Sequence, residues 1–169
     1  VLGDPAQSGP WQDMASTSHV IINLVGKNIF TRWTSTAKDE ILSSRLDSAR
    51  MAVEALSPES EQVLINANAV GYYGHTHDNK ITESAPAGDD FLASICSQWQ
   101  DQALKGQDKG ARVVIARFGV VLGKDGGALK KMLPPFRMGL GGRLGSGKQY
   151  FPWIHIHDLC QAIIHCIGD

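Results

Sequence analysis

The chain alternates between short apolar runs and longer amphipathic stretches. Apolar residues dominate 19–25, 63–69 and 111–123, a pattern typical of parallel strands that are buried on both faces. Residues 36–56 and 89–104 carry apolar positions at three- and four-residue spacing, which predicts amphipathic helices. Strands and helices that alternate in this way predict right-handed βαβ units, and therefore an α/β fold with a parallel sheet.

The last third of the chain is less regular. Residues 127–138 predict a helix with a break near Pro134 and Pro135, because proline has no N–H to donate. A glycine-rich stretch, MGLGGRLGSGKQ, leads to YFPWIHIHDL and to a final helix with Asp158 as its predicted N-cap.

Composition excludes several classes of function. A chain of 169 residues forms about one domain, and its formal net charge of −1 gives no electrostatic case for binding nucleic acid or an anionic membrane. No apolar run approaches the roughly 18 residues of a membrane-spanning helix. The three cysteines have no framework spacing, so we expect reduced thiols in a cytoplasmic protein. Both ends of the chain look cut, which predicts a fragment of a longer protein.

Three loops follow the predicted strands, and ligands of a doubly wound sheet bind at the carboxyl ends of its strands. The loops read VGKNIF, AVGYYGHTHDN and FGVVLGKDGG, and each has a glycine close to its strand. Glycine allows the backbone to approach a ligand closely, but it also serves short βα turns, so both interpretations stay open.

A resemblance to a known family rests on several motifs in a consistent order. INLVGKNI, NAVGYYG, DDFLASICSQW and RFGVVLGKDGGALKKMLPPF resemble the atypical, extended short-chain dehydrogenases/reductases. This subgroup is NAD-dependent epimerase/dehydratase-like and related to nucleoside-diphosphate-sugar epimerases. The resemblance covers about residues 11–167. It implies a Rossmann-type doubly wound parallel sheet, NAD or NADP as cofactor, and a small polar substrate such as a nucleotide sugar.

The resemblance also implies how the chain is divided. The first strands and the glycine-rich phosphate turn of the fold are absent, since no G-x-G-x-x-G precedes His19. We expect three parts: an irregular N-terminal segment 1–18, the remaining part of a dinucleotide-binding domain at 19–126, and the start of a substrate-side region at 127–169.

Cofactor and substrate residues follow from the same alignment of motifs. Arg143 and Lys148, in the glycine-rich stretch, are assigned to the substrate; phosphate binding by this stretch is the alternative. The cofactor is assigned to residues at the strand ends: Asn23, Leu24, Gly26, Asn68, Ala69, Arg117, Phe118 and Gly119.

The usual catalytic side chains of the family are replaced in this chain. The family's Tyr-x-x-x-Lys pair, which supplies the acid/base and holds the ribose, falls on Leu92 and Cys96. Its Ser or Thr falls on Asn68, and its upstream Asn falls on Arg45. The usual proton relay is therefore missing, and Leu92 cannot replace it.

Four residues are candidates to take over catalysis. Tyr72 and Tyr73 follow a strand at the expected cofactor edge, and Cys96 lies one helical turn past Leu92. Arg45 could stabilise an anion. Each has a structural alternative, because tyrosines often pack, a lone helical cysteine is often a small buried apolar residue, and an arginine often lies on a solvated helix face.

No metal site is predicted, because neither histidine-rich segment supplies a full ligand set at defined spacing. The residues concerned are His75 and His77, and His155, His157, Asp158 and Cys160. The predicted function is an NAD(P)-binding epimerase/dehydratase-like or reductase-like protein with altered catalytic residues. The alternative is a non-catalytic nucleotide-binding or regulatory module. We also expect the strand VIINLV to be a bare edge, through which two chains could pair as a homodimer.

Overall fold

Three parallel strands form the main sheet: β1 (Val20–Asn23), β2 (Val63–Ala69) and β3 (Arg112–Phe118). β2 lies in the middle of the sheet. Its residues Val63 to Asn66 pair with β1, and its whole length pairs with β3. The structure is a computed structural model that describes residues 1–58, 61–76, 79–124, 126–143 and 145–168. The parallel order in the sheet confirms the predicted partial Rossmann-type fold.

Two long helices pack against the sheet and against each other: α2 (Ser35–Ala55) and α3 (Phe91–Leu104). Thr34 and Asp90 cap them, with side-chain oxygens that accept hydrogen bonds from backbone N–H groups in the first turn. The apolar stripes of these helices and the central strand make the core, and each fully buried Leu or Ile contributes about 1.5–3 kcal/mol. Its most buried apolar residues include Ile41, Ala49, Leu56, Leu64, Ile65, Ala93 and Trp99.

The N-terminal segment is not wholly irregular as predicted. A short helix, α1 (Trp11–Ser16), packs on α2, where the Gln12 side-chain amide donates to the carbonyl of Met51 at 3.1 Å. The side-chain amide of Gln62 donates to the carbonyl of Ala15 at 3.0 Å. These partners lie some 39 and 47 positions away in sequence, so local pattern could not reveal the helix.

The predicted third strand is in fact two strands in two sheets. β3 ends at Phe118, and β4 (Val120–Gly123) pairs in parallel with β5 (Trp153–His155) in a separate sheet. The break falls at Gly119, where a Cβ would lie 2.3 Å from the carbonyl oxygen of Pro152. Val120 donates to that same oxygen at 2.9 Å, so the approach of residue 152 redirects the chain.

Two helices flank this second sheet: α4 (Gly127–Arg137) and α5 (Ile156–Gly168). The predicted break at Pro134–Pro135 is wrong, because both prolines lie inside α4, which continues to Arg137. Asp158 is not the N-cap of α5, since the helix begins two residues earlier and places Asp158 in its first turn. An acidic side chain there is still favourable to the helix dipole.

A membrane-spanning helix is not found: within the described part of the chain, every helix is too short or too polar to cross a bilayer.

Candidate functional site

An apolar cleft of about 390 Å³ opens at the carboxyl ends of β2 and β3. The loop after β2 supplies one wall through Ala69 and Gly71, and Phe118 and Gly119 supply another. Helices α2 and α3 and the segment around Phe30 close the remaining sides. This is the position at which ligands bind in doubly wound sheets, and the volume lies in the range of small-molecule sites.

The α3 side of the cleft is made by one stripe of the helix: Leu92, Ile95, Cys96 and Trp99. These residues are spaced three and four apart, so they share one helix face. Leu92 packs close to the loop after β2, because a Cβ on Gly71 would lie 3.7 Å from the Leu92 Cβ. Leu92 and Cys96, which the resemblance predicts in place of the family's Tyr and Lys, therefore lie side by side in the cleft.

Cys96 is a buried thiol, with 6% of its surface exposed. Burial raises the pKa of Cys96, and this outweighs the opposite influences of the Ala69 backbone and the Arg45 charge. The thiol is therefore protonated near neutral pH and is a weak nucleophile.

Arg45 enters the cleft from α2 and is half-buried. Its Nη1 donates to the carbonyl oxygens of Lys27 at 3.1 Å and Ile41 at 2.9 Å. Its guanidinium lies 5.2 Å from the centre of the Trp99 ring, within the range of a cation–π contact. Burial lowers the pKa of Arg45, and the electrostatic interaction with Cys96 acts in the opposite direction. A guanidinium nevertheless stays cationic at neutral pH.

Asn68 lies beneath the cleft and is almost fully buried. Its side-chain Nδ2 donates to the carbonyl of Cys96 at 2.9 Å, and its Oδ1 accepts from the backbone N–H of Ala69 at 2.8 Å. The residue in the family's Ser/Thr position thus ties β2 to α3 and does not line the cleft.

The predicted cofactor residues of the β1 loop also lie outside the cleft lining. Asn23 is buried and donates to the Asn66 side-chain oxygen at 2.7 Å. Leu24 is exposed, and Gly26 lies under Arg45, where a Cβ would come within 2.9 Å of the guanidinium carbon. Gly26 therefore provides room for the arginine.

The two tyrosines lie away from the cleft and surround Arg117. The Arg117 guanidinium carbon is 3.8 Å from the centre of the Tyr72 ring, and its Nη1 donates to the Tyr73 hydroxyl at 2.7 Å. The same guanidinium bonds the carbonyl of Glu83 and the side chain of Gln100. Arg117 therefore joins β3, α3 and the loop after β2, and neither tyrosine nor Arg117 is among the cleft residues.

The remaining candidates are dispersed. Arg143 and Lys148 are exposed in the glycine-rich loop and do not line the cleft. Among the described residues, no group of three or more His, Cys, Asp or Glu side chains could hold a metal ion. His75 is exposed, and His77 lies outside the described residues.

Trp99 and the segment at Ile29–Phe30 are cleft residues that sequence reasoning did not assign to a site. Trp99 is 5% exposed and packs with Ala49, Ala67 and Phe118. The signal was present in the helical spacing from Leu92, but the same spacing also describes a core face. Ile29 and Phe30 belong to VGKNIF, one of the three loops expected at the strand ends, but a loop has no periodic signal that would single out these two residues.

Fold and cleft together define an α/β protein with an apolar cleft at the strand ends of a Rossmann-type sheet. The sequence model of the NAD dependent epimerase/dehydratase family matches residues 2–169. The chain therefore belongs to the NAD dependent epimerase/dehydratase family, and the predicted resemblance and the predicted NAD or NADP cofactor agree with that membership.

Named relatives are identical to this chain at about two fifths of the aligned positions. It is 43% identical over 168 residues to "Epimerase family protein SDR39U1 homolog, chloroplastic" of Arabidopsis thaliana, covering 97% of this chain and 48% of that protein. An epimerase family protein of Mycobacterium bovis is 42% identical, over 96% of this chain and 55% of the relative. The chain thus spans about half the length of these relatives.

Solved structures give the same picture. The human epimerase family protein SDR39U1 (isoform 2), crystallised with NADPH, superposes with a TM-score of 0.83 at 36% identity, over 95% of this chain and 59% of that one. UDP-glucuronic acid 4-epimerase from Bacillus cereus, with UDP-glucuronic acid and NAD, gives a TM-score of 0.81 at 13% identity, over 97% of this chain and 54% of that one, and so shows the fold alone.

Proposed function

We propose that the cleft holds the nicotinamide end of NAD(P) and a small polar substrate in the whole protein. The observation that carries this proposal is the position of the cleft, where Ala69, Gly71 and Phe118 meet at the ends of β2 and β3. The NADPH in the human relative, at 36% identity, supports the same cofactor here. When bound, the nicotinamide exchanges a hydride with a substrate carbon.

The residues present fit a nicotinamide ring. A flat ring with apolar faces fits between walls made of Ala69, Leu92 and Phe118. Gly71 has no side chain, so the backbone of the loop after β2 is open to the ring there. The phosphates need another part of the protein, because the described residues before β1 contain no strand and glycine-rich turn leading into a helix. Arg143 and Lys148 remain proposed substrate contacts from the exposed loop.

An enzymatic function needs a group in the cleft that can transfer a proton, and the candidate side chains are poorly suited to this. Leu92 has no proton to exchange, and Cys96 holds its proton because burial raises its pKa. Tyr72 and Tyr73 are engaged with Arg117 away from the cleft. Turnover would therefore need an acid or base from the substrate or from the rest of the protein.

This arrangement favours a second candidate function, a nucleotide-binding module without turnover. It uses the same cleft, and the replacement of the Tyr/Lys pair by Leu92 and Cys96 is the observation that favours it. A cytoplasmic location remains a prediction from the cysteine pattern.

Cofactor binding is tested by titrating the whole protein with NADPH, with Leu92→Trp as the variant that fills the cleft. We expect Leu92→Trp to weaken binding by about tenfold or more, which corresponds to about 1.4 kcal/mol, because the larger side chain would occupy space proposed for the nicotinamide. Ser94→Trp is the matched control, because Ser94 is exposed on the same helix. Equal NADPH affinity in Leu92→Trp and wild type would exclude the cleft as the nicotinamide site.

Turnover separates the two candidate functions. The whole protein, loaded with cofactor, is given a panel of sugar nucleotides, and both nicotinamide absorbance and the sugar products are followed. An epimerase or dehydratase returns the hydride to its substrate and changes only the sugar, whereas a net oxidoreductase also changes the absorbance. Either change supports the enzyme, while cofactor binding without either change supports the non-catalytic module.

A further inference from the structure

Arg45 is the single charged side chain among the described residues that line the cleft. Every other lining side chain is apolar except the Cys96 thiol, so the guanidinium lies in surroundings of low polarity. The ion pairs of the described residues join Lys27 to Glu40, and Arg50 to Asp47 and Glu54. Within the described part of the chain, no carboxylate lies within ion-pair distance of Arg45.

Among the described residues, only the Nη1 atom of the Arg45 guanidinium is hydrogen-bonded. Nη1 is occupied by the carbonyls of Lys27 and Ile41, and the Trp99 ring supports the cation from the core side. Gly26 faces the guanidinium carbon and Nη2, where a Cβ would come within 3.0 Å. Nε and Nη2 have no acceptor among the described residues, so the fork edge of the guanidinium keeps free donors.

Burying a cation without a counter-charge is costly, and proteins normally pair such a charge or bring it to a ligand. Two neutral carbonyls satisfy only part of the hydrogen-bonding capacity of an arginine, which has five N–H donors. A planar guanidinium with two free donors on one edge matches the two oxygens of a carboxylate or a phosphate.

We propose that the substrate bound in the cleft carries an oxyanion, a carboxylate or a phosphate, that pairs with Arg45. This inference rests on the proposed function and deepens it, because it narrows the small polar substrate to an acid or a phosphate ester. Arg45 is then the specificity-determining residue of the cleft. The apolar walls contact the rest of the substrate, and Trp99 holds the guanidinium in place.

The test measures binding of three small probes to the whole protein saturated with NADPH. Benzoate carries a carboxylate, phenyl phosphate carries a phosphate, and benzyl alcohol is the neutral match. We expect benzoate or phenyl phosphate to bind about tenfold or more tightly than benzyl alcohol, since charge-assisted bidentate hydrogen bonds are about twice as strong as neutral ones. Which of the two anions binds more tightly identifies the acid group.

Arg45→Gln should remove this preference and leave benzyl alcohol unaffected. Arg45→Lys keeps the charge and should retain part of the preference, which guards against a variant that merely fails to fold. Arg50→Gln is the matched control on the same helix, where Arg50 is exposed and pairs with Asp47 and Glu54, and it should behave as wild type.

Equal binding of the three probes by wild type would overturn the proposal, as would an unchanged preference in Arg45→Gln. The same titrations are repeated without NADPH; anionic probes that bind only when NADPH is absent would also overturn the proposal, because Arg45 would then pair with an oxyanion of the cofactor. Failure of the proposed function is recognised separately, as a wild-type protein that does not bind NADPH at all.

Discussion

At the scale of single residues, the described cleft lining holds few groups that can exchange a proton. The thiol of Cys96 is buried and its pKa is raised. Arg45 brings a charge into an apolar surface. That Leu92, Cys96 and Arg45 stand where the family has its tyrosine, lysine and asparagine stays a prediction from the resemblance.

The thiol of Cys96 should be the slowest of the three to react with iodoacetamide. At pH 7 we expect exposed Cys160 to be labelled first and Cys96 to be labelled only when the chain unfolds, because burial both shields the sulfur and disfavours the thiolate. Because the pKa of Cys96 is raised in the folded protein, the folded chain holds this proton to a higher pH than the unfolded chain does. The free energy of unfolding therefore falls with increasing pH only above the thiol's ordinary pKa of 9.0. Mass spectrometry of tryptic peptides gives the order of labelling; equal rates for Cys96 and Cys160 would contradict it.

A second prediction concerns Asn68, which joins β2 to α3. Asn68→Ala removes the bond to the Cys96 carbonyl and the acceptor of the Ala69 N–H, so we expect a loss of about 1–3 kcal/mol in the free energy of unfolding. Denaturant unfolding measures the loss. Asn79→Ala is the comparison, since Asn79 is exposed and its change should stay within about 0.5 kcal/mol.

At the scale of elements, loops and strand ends are held by contacts that cross from one element to another. Arg117 projects from β3 and holds Tyr72, Tyr73 and Glu83 of the loop after β2, together with Gln100 of α3. Gly119 lets the segment before β5 approach and so divides one apolar run between two sheets. These contacts position the loop after β2 and the segment at Gly119, which form two walls of the cleft.

Arg117→Lys should release the loop after β2, because a lysine cannot bond three partners in the fork geometry of a guanidinium. Trypsin should then cleave faster after Lys80, which is exposed in that loop. Cleavage after Lys148, exposed in the glycine-rich loop, is the internal control and should keep its rate. An unchanged Lys80 rate would show that other contacts hold the loop.

Gly119→Ala should destabilise the junction of the two sheets. Its Cβ would lie 2.3 Å from the Pro152 carbonyl oxygen, and overpacking of this kind costs about 1–3 kcal/mol. Gly142→Ala is the control, since a Cβ there meets nothing within 4 Å. The midpoint of thermal unfolding should fall for the first variant and stay unchanged for the second.

At the scale of the whole molecule, β1 is an edge of the described main sheet. Ile22 lies within β1 and Leu24 directly follows the strand, and these residues are 43% and 59% exposed. An unprotected apolar edge is a template for pairing with another strand, from the whole protein or from a second copy. The predicted homodimer stays a prediction.

The 169-residue chain, prepared by itself, should self-associate through this edge. We expect Ile22→Lys to shift it toward the monomer in size-exclusion chromatography with light scattering, because a charge on an edge strand opposes pairing. Ile164→Lys is the control, as Ile164 is 58% exposed but lies on helix α5, where no strand edge is available. A monomeric wild-type chain, or an equal effect of both lysines, would count against edge pairing.

The sequence by itself determined the α/β class, the main strands and helices, and the family. These follow from local causes: apolar runs such as 63–69, helical spacing along α2 and α3, and the caps at Thr34 and Asp90. The placement of Leu92 and Cys96 on one helix face follows from helical geometry alone. That they replace the usual catalytic pair stays a prediction from the resemblance.

Only the tertiary structure decided which side chains face the cleft. Tyr72 and Tyr73 are adjacent to a strand end, but they contact Arg117, more than 40 positions away, and are not among the cleft residues. Arg45 reaches the cleft because Gly26 makes room and Trp99 provides a surface for the cation. The direction of a loop or of a long side chain is set by partners distant in sequence, whose positions no local pattern encodes.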